Sequence, residues 1–307
     1  MRRTFIANFA FLSAIVVTFS IFAHPEEQPP VAPVTAATPA TLPAPASTPE
    51  HPGVHHIPAP SVEAAEAIED SSETGKMLPK HSGHWGYRED NAPGHWGTIS
   101  PEFAQCALGK EQSPIDLRSS HLIVNETPTL SYAASPIAAT NTTHTVQVAY
   151  ARGSSLTIQG AQYELIQYHF HSPSEHTFDG KHWPIELHLV HKAADGRIAV
   201  IGVLMSVGDE NEALAPLFTD LPREAHETVA IDARIDANAL LPKKKTFFMY
   251  QGSLTTPPCA QRVTWLVMQT PTQLSAAQLA AFKQIFTRNN RPTQPLHGRK
   301  VRAGTFE

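Results

Sequence analysis

Three histidines, a close pair and a distant third, give this sequence its clearest chemistry: His169 and His171 close the run Gln167 to His171, and His188 follows Glu186 and Leu187. Imidazole nitrogen is a preferred zinc ligand, and three such ligands leave one tetrahedral position open for water, which is the layout of a catalytic zinc site rather than a structural one. Side chains alternate along an extended strand, so His169 and His171 share one face while Tyr168 and Phe170 take the other. His188 lies on a second strand-like run that a turn through Phe178, Asp179, Gly180 and Lys181 can fold back beside the first. Neighbouring strands ~4.8 Å apart bring three rings within reach of Zn–N bonds of ~2.0–2.1 Å. Histidine pairs also arise by chance in a chain with 17 histidines. The surroundings argue for a site: Gln167 shares the face of His169 and His171, Glu186 shares that of His188, and zinc-bound imidazoles donate their remaining N–H to such partners.

The elements that must position these residues are short apolar runs broken by turn pairs such as Asp195–Gly196. The clearest strands are 156–158, 163–171, 185–191, 198–205 and 263–268. Ser275 to Gln278 reads as a capping box ahead of Leu279, Phe282 and Phe286, which fall on one helical face. No internal repeat supports a propeller or solenoid. The fold class is therefore α+β and β-dominated.

Charge excludes one large function class. With 23 basic and 28 acidic residues and a net charge of −5, the chain lacks the basic stripe of a nucleic-acid binder. The Lys243 to Lys245 run reads as a solvated loop. Residues 1–23 open with Arg2 and Arg3 and then carry no charge through Ala23, as in an export signal; the same stretch is long enough to span a bilayer, so a signal peptide and an N-terminal membrane anchor both fit. Residues 24–80 are a Pro/Ala-rich linker with too few large apolar residues to offset ordering entropy, and 81–307 form the folded domain. A periplasmic or secreted location follows. The two cysteines, Cys106 and Cys259, are expected to bridge in an oxidising compartment, two free buried thiols being the other reading. A bridge would tether the loop that precedes Cys259.

That loop, Gly252 to Pro258, joins four further motifs: Gln112 to Asp116, the histidine strands, Ser174 to Thr177, and Arg291 to Leu296. In this order, from about His84 to Val301, they closely resemble the α-class carbonic anhydrases. The resemblance implies a central twisted, mostly antiparallel sheet of about ten strands with short peripheral helices, a Cys106–Cys259 disulfide, and cis peptides at Ser113–Pro114 and Pro257–Pro258. It implies a zinc lyase that hydrates CO2 to bicarbonate through a zinc-bound hydroxide, with weak esterase activity on the side. His169, His171 and His188 would hold Zn2+, with Gln167 and Glu186 behind them. Thr255 would accept from the hydroxide and pass its own proton toward Glu175. Val190, Val200, Leu254 and Trp265, with Thr255 and Thr256, would line the CO2 pocket. Val190 also follows from strand alternation, since it shares the face of Glu186 and His188. His144 aligns with the family's proton shuttle, although threonines replace the usual Asn and Gly before it. His176, His182 and His191 carry no catalytic role on this reading. The competing reading is a binding or adhesion module on the same fold; such relatives lack one or more zinc ligands, and this chain lacks none. Monomer and homodimer both remain open.

Overall fold

Both histidine runs form strands because each alternates one buried apolar face with a second face that is also covered, a pattern that suits the middle of a sheet. The computed structural model describes residues 84–119, 122–124 and 127–307. The expected signal or anchor at 1–23 and the linker at 24–80 lie outside the described residues. Nine strands make the main path: β1 (Ser135–Asn141), β2 (Val146–Ala149), β3 (Ala161–His171), β4 (Ile185–Ala193), β5 (Ile198–Val207), β6 (Thr228–Ile235), β7 (Thr246–Ser253), β8 (Gln261–Met268) and β9 (Arg302–Thr305). They run β6-β1-β2-β3-β4-β5-β8-β7-β9 within a twelve-stranded sheet whose remaining strands are Thr129–Ser131, Ser155–Ile158 and Thr272–Leu274. Pairing is antiparallel except where β5 meets β8 and Thr272–Leu274. Each strand expected from sequence is present and runs one or two residues further.

β3 and β4 lie side by side, with His169 opposite His188 and His171 opposite Glu186. One face of the sheet carries the larger core, where Tyr168, Phe170, Leu187, Leu189, Ile201 and Phe282 pack. The other carries a smaller cluster around Val190, Val200 and Trp265. Full burial of a side chain such as Phe170 stabilises by ~1.5–3 kcal/mol, so the larger core locks the strand phase that presents the histidines on the opposite face.

Strict alternation along β3 would place Leu165 with Gln167, His169 and His171. A register shift between Leu165 and Gln167 intervenes, as a β-bulge does when one extra residue enters a strand. Leu165 thereby joins the larger core while Ile166 packs against the smaller cluster. Gln167 stays in phase with the histidines.

The Gly180 turn forms, with Asp179 at φ 49° and Gly180 at φ 74°, but it closes a two-residue hairpin in a separate three-stranded sheet of Asp116–Leu117, Thr177–Phe178 and Lys181–His182. The return from β3 to β4 thus carries an inserted hairpin that the single-turn reading omits. Asp116 accounts for the insertion: its Oδ1 accepts from the Thr177 hydroxyl and the Gly180 N–H, both at 2.7 Å. The Ala276–Ile285 helix starts in the expected capping box, Ser275 Oγ accepting from Gln278 N–H at 3.1 Å and Gln278 Oε1 from Ser275 N–H at 2.9 Å. Its Phe282 is fully buried, and the chain leaves it just before Asn289. Among the described residues no helix is long and apolar enough to cross a membrane.

Candidate metal centre

His169, His171 and His188 converge, with ring centroids 5.0, 5.2 and 4.7 Å apart pairwise and one nitrogen from each within 4.8 Å of the others. The opposite nitrogens are all engaged. His169 Nδ1 meets Gln167 Oε1 at 2.8 Å, His171 Nδ1 meets the Asn289 carbonyl at 2.7 Å, and His188 Nε2 meets Glu186 Oε1 at 2.9 Å. Since these acceptors take the ring N–H, the tautomers leave Nε2 of His169, Nε2 of His171 and Nδ1 of His188 as lone pairs. His171 Nε2 is buried with no hydrogen-bond partner. A buried polar atom left so is costly, and a cation among three such lone pairs removes the cost, so the donor set fits a divalent metal. Burial lowers all three pKa values, His171 to about 4, and neighbouring rings push His169 down further. Every ring is neutral near pH 7, as ligation requires.

Glu186 anchors His188 through a saturated carboxylate. Its Oε2 accepts the backbone N–H groups of Glu175 and His176 at 2.9 and 2.8 Å, and its Oε1 accepts His176 Nδ1 at 2.7 Å as well as His188. Burial opposes ionisation, yet the adjacent His176 and His188 hold this carboxyl well below the ordinary range. The network continues from His176 Nε2 to Tyr250 Oη at 2.7 Å and on to Ser113 Oγ at 2.8 Å. His176, Glu186 and His188 also form a compact cluster, but the atoms that approach one another are joined by hydrogen bonds. His176, given no role by the sequence, is a positioning residue here. No local pattern marks it, because its partners lie on other strands.

Glu175 is fully buried. Its Oε1 accepts the Arg291 backbone N–H at 2.8 Å and lies 3.6 Å from His171 Nδ1, while Oε2 has no hydrogen-bond partner. Burial raises its pKa to about 7, opposed by His188, the Arg291 N–H and the nearby Thr255 hydroxyl. Thr255 is buried and Thr256 half-buried in the loop after β7. That loop is held by the Cys106–Cys259 disulfide, whose Cα atoms are 5.0 Å apart, and by Gln112 Nε2 donating to the Cys259 carbonyl at 3.1 Å. Ser113–Pro114 and Pro257–Pro258 are cis as expected, and so is Ser172–Pro173.

The apolar wall assembles from three strands. Val190 on β4 pairs with Val200 on β5, which pairs with Trp265 on β8, and Leu254 packs against the same cluster. Trp265 lies 4.8 Å from the His188 ring and donates Nε1–H to the Ser253 carbonyl at 2.9 Å. His191 faces away from the three-histidine cluster, its Nε2 meeting Tyr132 Oη at 2.7 Å. His144 sits in the turn between β1 and β2, stacked on Trp85 with centroids 3.7 Å apart and planes 13° apart. Burial there, with His84 and His226 nearby, lowers its pKa to about 4.

Two residues of the site were given no role by the sequence reading. Asn289 supplies the carbonyl behind His171. Arg291, 1% exposed, donates Nη1–H to Gln112 Oε1 and the Ser113 carbonyl and Nη2–H to the Cys106 carbonyl, all at 2.8 Å. Arg291 opens a motif that the sequence did single out; Asn289, just upstream, carries no such mark. Cavities of 510 and 330 Å³ lie elsewhere, by Ser154, Glu164 and Lys192 and by Asn141, Arg223 and Phe286.

The family model for eukaryotic-type carbonic anhydrase matches residues 91–305. A carbonic anhydrase of Klebsiella pneumoniae is 43% identical over 224 residues, covering 71% of this chain and 90% of that protein. One from a Nostoc species is 42% identical over 224 residues, covering 71% and 85%. The solved structure of the α-carbonic anhydrase of Thermovibrio ammonificans with sulfanilamide superposes with a TM-score of 0.69 at 40% identity, covering 71% of this chain and 98% of that one.

Proposed function

The chain belongs to the eukaryotic-type, α-class carbonic anhydrase family and is a carbonate dehydratase, for which we propose a zinc ion held by His169, His171 and His188 as the working centre. The observation that carries this reading is the set of three engaged outer nitrogens, at Gln167, the Asn289 carbonyl and Glu186, which leaves three lone pairs facing one point. Three neutral ligands leave the full charge of the ion available. Carbonic anhydrases are the type example of what zinc supplies at such a site, water made acidic enough to attack near neutral pH.

The remaining steps fall to residues of the chain. Thr255 accepts a hydrogen bond from the attacking oxygen and directs its own proton to the open Oε2 of Glu175, so the nucleophile presents a fixed lone pair to substrate. The Arg291 N–H and the Thr255 hydroxyl favour the ionised, accepting form of Glu175 against the burial that raises its pKa to about 7. Val190, Val200, Leu254 and Trp265 offer apolar CO2 a surface from which water is excluded, and Thr256 borders it. Bicarbonate, being charged, gains nothing from that wall and leaves. His144 carries the proton outward. While stacked on Trp85 its pKa of about 4 makes acceptance from a group near 7 uphill by ~4 kcal/mol. The ring therefore takes the proton after turning off Trp85 into water, where an ordinary pKa of ~6.5 suits the relay.

The same nucleophile would cleave activated esters slowly. The export-like residues 1–23 and the disulfide support a periplasmic or secreted enzyme. The test is CO2 hydration by rapid mixing, with metal analysis, before and after chelation. Fast hydration that chelator abolishes and zinc restores is expected, along with loss of both zinc and rate in His169→Ala. A background rate with zinc bound would end the proposal.

A further inference from the structure

The turn that carries His144 is built under strain and pinned from two sides. Thr143, the residue before it, has φ 72°, a left-handed conformation that a β-branched side chain rarely adopts and that persists only where the surroundings impose it. Asn141 Oδ1 accepts the Thr143 N–H at 2.9 Å, and the Thr145 carbonyl accepts the Thr142 N–H at 2.9 Å. Those contacts close the turn on itself but leave its carbonyl at His144 unengaged. Asn289 supplies the missing partner: its Nδ2 donates to the His144 carbonyl at 3.0 Å and to the Phe170 carbonyl at 2.9 Å. Its Oδ1 accepts the Ser172 N–H at 2.8 Å, and its own carbonyl accepts from His171 Nδ1 at 2.7 Å. Asn289 is fully buried, 145 residues from His144 and 118 from His171.

We propose that Asn289 is a positioning residue for the proton-transfer step, its side chain clamping the strained His144 turn to β3 at the metal ligand His171. The inference rests on the reading of His144 as the proton carrier. With the turn clamped, motion of His144 is confined to rotation of its ring, so the path between Trp85 and the metal side is short and repeatable. Without the clamp, Thr143 relaxes out of the left-handed region and the whole turn drifts.

Asn289→Ala removes the side-chain clamp and keeps the carbonyl behind His171. The expected result is a fall in kcat on the order of tenfold in weak buffer, reversed by added imidazole, with kcat/KM lowered less than about threefold. Proton NMR of the metal-free protein gives a readout independent of turnover. Ring protons of His144 are shifted upfield by the stacked Trp85, and in Asn289→Ala they move toward the position of a free histidine. Adding Thr143→Gly, which relieves the strain, restores both the shift and kcat. If Asn289→Ala fails to fold, Asn289→Asp, which keeps the shape and the Ser172 contact, is measured in its place. An unchanged ring shift overturns the proposal, as does an equal fall in kcat and kcat/KM, or a double variant that stays impaired. A His144→Ala variant with undiminished kcat in weak buffer instead removes the carrier reading, and the ring shift then still reports whether Asn289 holds the turn.

Discussion

Glu186→Gln is the sharpest test of how the third ligand is oriented. Four donors converge on two carboxylate oxygens at 2.7 to 2.9 Å, and glutamine offers one oxygen and one NH2. If the NH2 turns toward the backbone, it meets two N–H groups that cannot accept. Each buried donor so orphaned costs ~1–3 kcal/mol, giving a loss of stability of about 2–6 kcal/mol. If the NH2 turns instead toward the imidazoles, His188 Nε2 must accept, which moves its proton to Nδ1, the atom aimed at the metal. The structure therefore predicts either instability or a ligand in the wrong tautomer. Loss of such a partner lowers metal affinity by ~10–100-fold, and hydration at limiting zinc should fall in proportion. Zinc affinity is measured by competition with a chelator, and stability by urea unfolding of the metal-free protein. A variant that binds zinc as tightly as the wild type and unfolds within about 0.5 kcal/mol of it would refute the reasoning.

Three further outcomes follow from other contacts. Replacing Cys106 and Cys259 by serine opens a span of 153 residues, for which the chain-entropy account gives a loss of up to ~5 kcal/mol and measured cases ~2–5 kcal/mol, read by chemical denaturation; a change below about 0.5 kcal/mol would remove the tether from the account. Arg291→Met strands the Gln112, Ser113 and Cys106 acceptors in the interior and should destabilise by ~1–3 kcal/mol for each acceptor left without a partner, with wild-type unfolding as the contrary result. Burial lowers the pKa of His191 to about 3, below its unfolded value of ~6.5. The unfolded chain then binds the extra proton between these limits, so stability from this group is intact above pH ~6.5 and falls as pH drops, by up to ~1.4 kcal/mol per unit. His191→Gln should flatten that part of the stability profile, and an unchanged slope between pH 6 and 4 would count against it.

The residues nearest the chemistry were legible because their signals are local. A period of two placed His169, His171 and Gln167 on one face of β3 and His188, Glu186 and Val190 on one face of β4, and the capping box from Ser275 to Gln278 marked the start of its helix. Two cysteines allow a single pairing, which the structure contains. Tertiary structure alone decided the bulge before Gln167, which sends Leu165 to the core. It alone set the stack of His144 on Trp85, the role of His176 behind Glu186, and the convergence of Asn289 and Arg291 on residues more than a hundred positions away. Alternation and capping are enforced by backbone geometry within a few residues and so are written in residue order. The partners that orient the three histidines and hold the His144 turn are chosen by which strands become neighbours, and no spacing along the chain records that choice.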